Sequence, residues 1–203
     1  MKAVLLCTGL LAALPAAPAT PVGDAVEFYR QKRYGEARSA LERIVASDPS
    51  NAAACYYLAM TLQRVAPPSL DSARAWLGKA VSLAPANEGY LAEYAEVTLL
   101  MADRDSSLGL AIEGRNAMAR AVAMNPSDLD ACETLMLLCA RAPWPLANPA
   151  RALGLAAAIA GKDPRRGSAA YRAIASIFER QGRAEQALSA RQAAERLAQP
   201  AAR

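Results

Sequence analysis

The sequence predicts an all-α solenoid of about five helix-turn-helix hairpins, and three observations carry that prediction. Fifty of the 203 residues are alanine, the best helix former, while only 5% are aromatic. Prolines recur at Pro49, Pro85, Pro126, Pro164 and Pro200, with spacings of 36, 41, 38 and 36 residues. A small residue stands twelve positions before each of the first four: Ala37, Ala73, Gly114 and Ala152. Fixed periods of this length are the signature of stacked repeats rather than of one layered core.

The hairpins follow in chain order. Asp24 to Lys32 and Gly35 to Ser47 form the first amphipathic pair. Ala52 to Val65 leads through Ala66-Pro67-Pro68 into Ser69 to Ala84, where Asp71 is expected to help cap the second helix. Glu88 to Ala102 breaks at residues 103–107 and resumes to Met124. Leu129 to Arg141 breaks at a proline-rich loop around Trp144 and resumes to Gly161. Ser168 to Gln181 pairs with Ala184 to Ala198 across Gly182-Arg183. The last small position, Ala187, lies thirteen before Pro200, a slip of one. Residues 20–51, 52–87, 88–128, 129–166 and 167–200 are the five units, with 201–203 as a tail. Ala or Gly at a helix crossing lets two backbones approach, while Leu58, Leu77 and Tyr94 fill the space beside them.

Residues 1–19 stand apart. Lys2, the uncharged stretch from Ala3 to Leu14 and the small-x-small site Ala17-Pro18-Ala19 read as a secretory signal peptide cleaved after Ala19. The expected product is exported, periplasmic or secreted, and has no stable membrane span after cleavage. Cys7 invites a lipidation reading, which Leu6 in front of it opposes.

The chain contains no histidine, so Ser-His-Asp and Cys-His catalysis and histidine metal sites are excluded. No constellation supplies an enzyme, and no cofactor or metal is expected. Cys132 and Cys139 lie seven apart on one helix, about 10.5 Å along the axis, beyond disulfide reach. With Cys55 they read as small buried hydrophobes. The net charge of +4 includes no Lys/Arg run, which opposes a nucleic-acid partner. Trp144 reads either as a plug on the stack or as an exposed anchor.

Tyr29-Arg30-Gln31-Lys32-Arg33-Tyr34-Gly35-Glu36-Ala37, with Leu41, Ile44 and Asp48-Pro49, resembles the tetratricopeptide repeat (TPR) family. Tyr171, Ile174, Ala175, Phe178, Gly182, Ala187 and Ala194 repeat that signature, and Leu58, Ala59, Leu62, Ala73, Leu77, Ala80 and Pro85 fit it with two inserted residues. The resemblance implies a right-handed superhelix and a non-enzymatic scaffold that binds peptides or protein partners on its concave face. The first helix of each hairpin would line that groove: Tyr29, Arg30, Tyr56, Met60, Gln63 and Arg64 toward the N-terminal end. Glu93, Glu96, Asp130 and Glu133 would form an acidic centre, followed by Arg172, Glu179 and Arg180. Val26 and Met60 stand where a terminal-carboxylate clamp of this family would need other residues. Arg191 replaces the apolar Leu41 and Leu77 of earlier units and is expected to cap the C-terminal end. The competing readings are an accessory subunit of a cell-envelope enzyme complex and a helical-repeat nucleic-acid binder.

Overall fold

The computed structural model describes residues 22–142 and 146–199. The signal-peptide reading, Cys7, Trp144 and Pro200 therefore lie outside the described residues. Among those described there are ten helices and no strand. They run α1 (Val22–Arg30), α2 (Tyr34–Ser47), α3 (Ala52–Leu62), α4 (Leu70–Leu83), α5 (Glu88–Asp105), α6 (Leu108–Met124), α7 (Leu129–Arg141), α8 (Pro149–Lys162), α9 (Pro164–Arg180) and α10 (Ala184–Ala198).

Each odd helix packs against the even helix that follows it, and each hairpin then packs on the next, giving an all-α solenoid. First helices also approach one another, α1 against α3 and α7 against α9, whereas no two second helices do so to a comparable extent. The more tightly spaced side is the inside of a curve. The odd helices therefore line the inner face.

Small residues sit at the crossings. Ala37, Ala73 and Ala152 are fully buried. A Cβ on Gly114 would come within 2.7 Å of Leu99 Cγ and 3.2 Å of the Ala95 carbonyl, which is why α6 approaches α5 through a glycine. Around these contacts Leu41, Leu58, Leu77, Met118, Leu135, Ile159, Ile174 and Phe178 are buried with almost no exposed surface. Full burial of each such side chain is worth roughly 1.5–3 kcal/mol.

Turn chemistry explains the proline rhythm. The Asp48 carboxylate accepts from the Ser50 amide, and Asn125 accepts from the Ser127 amide, each spanning a proline. Two residues after the proline, Asn51, Asn87 and Asp128 cap the next first helix by accepting from backbone amides of its first turn. The fifth hairpin departs from this. Asp163 both closes α8 and caps α9, accepting from the Arg165 and Arg166 amides, and Pro164 occupies the first turn of α9. α9 thus begins four residues before the expected Ser168, because proline fits the first helical turn as well as a loop.

Asp71 does not cap α4. The Ser69 side chain at that cap bonds the Ser72 hydroxyl, while Asp71 accepts from Arg104 of α5 at 2.9 Å. At the C-terminal end, exposed Arg191 pairs with Glu179. It stands where Leu41 and Leu77 are buried between hairpins.

Candidate functional site: the inner face of the odd helices

Side-chain caps at Asn51, Asn87, Asp128 and Asp163 fix the starts of α3, α5, α7 and α9. Tyr29, Tyr56 and Tyr90 come from the first helices α1, α3 and α5, whereas Tyr34 stands at the start of α2. Toward the N-terminal end five tyrosines form a continuous array. Ring centroids are 5.6 Å apart for Tyr34–Tyr29, 5.9 Å for Tyr29–Tyr57 and 5.2 Å for Tyr57–Tyr56. Tyr56 then stacks on Tyr90 of α5 at 4.6 Å, with the rings 23° from parallel. Of the two expected here, Tyr29 and Tyr56, both belong to this array; Tyr34, Tyr57 and Tyr90 were not expected.

Burial pushes the Tyr29 and Tyr56 hydroxyl pKa values up. The Arg64 charge partly opposes the rise at Tyr29, and the Glu93 carboxylate adds to it at Tyr56. The structure therefore brings Tyr29, Tyr56, Arg64 and Glu93 into one electrostatic neighbourhood, drawn from α1, α3, α5 and the turn after α3.

Glu93 is half-buried, and its carboxyl is raised to about 6 by burial and by the neighbouring Glu96 charge. Glu96 is raised by burial and by the Asp128 and Asp130 carboxylates. Neither forms an ion pair among the described residues. Asp130 and Glu133 differ. Arg166 of α9 donates to Asp130 at 2.5 Å and to Glu133 at 2.8 Å, tying α9 to α7. Arg166 is thus an inner-face residue that sequence reasoning missed. Its helix was expected to start two residues later.

The remaining candidates are more dispersed. Arg30 lies 3.9 Å from Glu27 on its own helix. The Gln63 amide rests 3.6 Å from the Met60 sulfur. Arg180 donates to Ser176 one turn back, and Glu179 is drawn to Arg191 of α10. Arg172 lies in a cleft at the C-terminal end rather than beside the acidic pair. Val26 is buried.

No group of three or more metal-ligating side chains gathers among the described residues. Cys55, Cys132 and Cys139 are free, buried thiols whose pKa values burial raises. No described helix is long and apolar enough to cross a membrane.

Solved structures share this architecture. A crystal structure of MamA is 17% identical over 85% of this chain and 93% of its own, with a TM-score of 0.68. The chain has the tetratricopeptide repeat fold. YrrB, a TPR protein described as having an unusual peptide-binding site, is 19% identical over 88% of this chain and 86% of its own, at a TM-score of 0.69. TTC0263, a thermophilic TPR protein of Thermus thermophilus, is 20% identical over 88% and 90% of the two chains, at 0.57. No protein-family model and no curated protein sequence matches the chain. The fold is shared although only 17–20% of the sequence is common with these structures.

Proposed function

We propose that the chain is a non-enzymatic, exported TPR scaffold whose inner face binds an extended peptide segment or partner protein. The observation that carries this reading is the pair Glu93 and Glu96. Two half-buried carboxylates without ion-pair partners among the described residues, bordered by the tyrosine array, complement a lysine or arginine side chain. The peptide-binding site of YrrB supports the same use of the fold. The signal-like segment 1–19, with cleavage after Ala19, supports export.

Anisotropy of a fluorescein-labelled Lys-Ala-Ala-Lys-Ala-Ala-Lys peptide tests the groove. The variant pair Glu93→Gln with Glu96→Gln should weaken binding at least tenfold while helical content stays unchanged. Gln at these positions is a cleaner change than reversing Glu133, which would also release Arg166. The control exchanges Arg38 and Glu42, an exposed ion pair at 2.8 Å on α2. Equal loss in both variants would sink the inner-face reading.

A further inference from the structure

The C-terminal end of the described solenoid carries two adjoining clefts. Between the start of α9 and the end of α10 lies an open cleft of about 770 Å³, lined by Arg165, Arg172, Ser168, Leu197 and Ala198 together with Asp163, whose carboxylate is engaged by the Arg165 and Arg166 amides. A smaller adjoining cleft of about 280 Å³ extends it along Ala194 and Glu195.

The position of Arg172 makes an inter-hairpin contact in two earlier units. Its equivalent in α3, Tyr56, stacks on Tyr90 of the following first helix. Its equivalent in α7, Glu133, holds Arg166 of the following first helix. From this position the second and fourth hairpins each reach the first helix of the next. In α9 it is an exposed guanidinium with no ion pair among the described residues. Arg165, seven residues earlier and on the same side of the helix, is likewise exposed and forms no ion pair among them. Its backbone amide is engaged by Asp163.

α10 says what cannot fill the cleft. Where earlier second helices bury Leu41, Leu77 and Met118 between hairpins, α10 has Arg191. Where they place Val45, Val81 and Val122, it has Glu195. A further apolar repeat would strand both charges, so another TPR hairpin does not suit this end. Arg191 is meanwhile occupied by Glu179, which leaves Arg165 and Arg172, among the described residues, as the unpaired cations lining the larger cleft.

We infer that this end cleft docks an acidic segment of a partner protein, two of whose carboxylates meet Arg165 and Arg172 while small apolar side chains rest on Leu197 and Ala198. Seven helical residues separate the two arginine Cα atoms by about 10.5 Å. A segment in the polyproline II conformation has three residues per turn at about 3.1 Å each, so side chains at i and i+3 share one face about 9 Å apart, within reach of both arginines. The partner therefore carries acidic residues at every third position.

The probe is a fluorescein-labelled Glu-Leu-Ala-Glu-Leu-Ala-Glu peptide, with Lys-Leu-Ala-Lys-Leu-Ala-Lys as its charge-reversed counterpart. The full chain should bind the acidic peptide, and binding should weaken as salt rises. Arg165→Glu with Arg172→Glu should cost at least tenfold in affinity for it. Arg165→Gln with Arg172→Gln should give a similar loss without introducing repulsion. Circular dichroism confirms folding, which these exposed positions make unproblematic. The proposal is overturned if the acidic peptide does not bind, or if both double variants bind it like the wild type. The Glu93→Gln, Glu96→Gln protein should retain acidic-peptide binding; its loss there would place that peptide on the inner face and defeat the end-cleft assignment. Failure at this end leaves the basic-peptide test of the inner face untouched.

Discussion

A Cβ on Gly167 would lie 2.3 Å from the Ala160 Cα, so α9 crosses α8 with backbone against backbone. Nothing flexible stands in the way to yield: the same atom would also lie 2.9 Å from the Ala160 amide nitrogen. Gly167→Ala should therefore destabilise the fold by roughly 1–3 kcal/mol, the usual cost of overpacking. Gly154 and Gly161, on α8, have open space at the Cβ position, and alanine there should be neutral or stabilising by up to about 1 kcal/mol. Urea titrations of the three variants decide between a crossing constraint and a general intolerance of substitution.

The same reasoning applies at the regular small positions. Ala37 and Ala73 are fully buried, and Ala37→Leu or Ala73→Leu should each cost roughly 1–3 kcal/mol. Thermal melts showing no loss in either would contradict the crossing geometry.

The crossings at Ala37, Ala73 and Gly114 were legible because a stacked repeat forces a small residue at one register, whatever surrounds it. Gly167 was not, since it lies outside that register and α9 starts early. Pro164 reads as a terminator in sequence, yet proline suits a first helical turn equally well once Asp163 supplies the cap. The acidic candidates were legible as residues on first helices, but their states were not. Arg166 neutralises Asp130 and Glu133 from 36 and 33 residues away, and only the α7–α9 approach creates that contact. The tyrosine array likewise joins residues 29 to 90 through three hairpins, a relationship that no local spacing contains.

Lys32 and Gly182 occupy corresponding turns and share a left-handed backbone, with φ of 61° and 71°. Glycine accepts that conformation without strain, whereas lysine does not. Lys32→Gly should stabilise the fold by roughly 0.5–1 kcal/mol, and Gly182→Ala should destabilise it by about 1 kcal/mol. A Cβ at 182 meets nothing within 4 Å, so this effect isolates backbone strain. Melting temperatures moving in the same direction for both variants would refute the assignment.

The proposed export has a chemical readout in the thiols. Cleavage after Ala19 removes Cys7 and leaves Cys55, Cys132 and Cys139, all buried and free. Protein recovered from the cell envelope should begin at Thr20 by intact mass and titrate three thiols per chain in denaturant without reductant. In the native state those thiols should react slowly, because burial both hides them and raises their pKa values. Four thiols on a full-length chain would show that the leader is retained.

Glu93 links the inner face to pH. Its folded carboxyl titrates near 6, above the ordinary 4.5, chiefly because burial penalises the carboxylate and secondarily because Glu96 repels it. A raised carboxyl pKa favours the folded state while protonated, so this contribution is fully present below about 4.5 and is lost as pH rises through about 6. The shift corresponds to about 2 kcal/mol at most, and partial solvent screening brings the expected effect nearer 1 kcal/mol. Glu93→Gln should therefore match the wild type in urea stability at pH 4 and exceed it by about 1 kcal/mol at pH 7.5. The difference between the two proteins cancels the titrating groups that do not interact with Glu93; Glu96, its coupled neighbour, changes with it. Binding should run the opposite way: the wild type should capture the lysine peptide more tightly at pH 7 than at pH 5, as the Glu93 carboxylate forms, and the Gln variant should show a much flatter profile. A stability difference that is constant with pH, together with parallel binding profiles, would mean that Glu93 neither titrates in this range nor meets the peptide's cation.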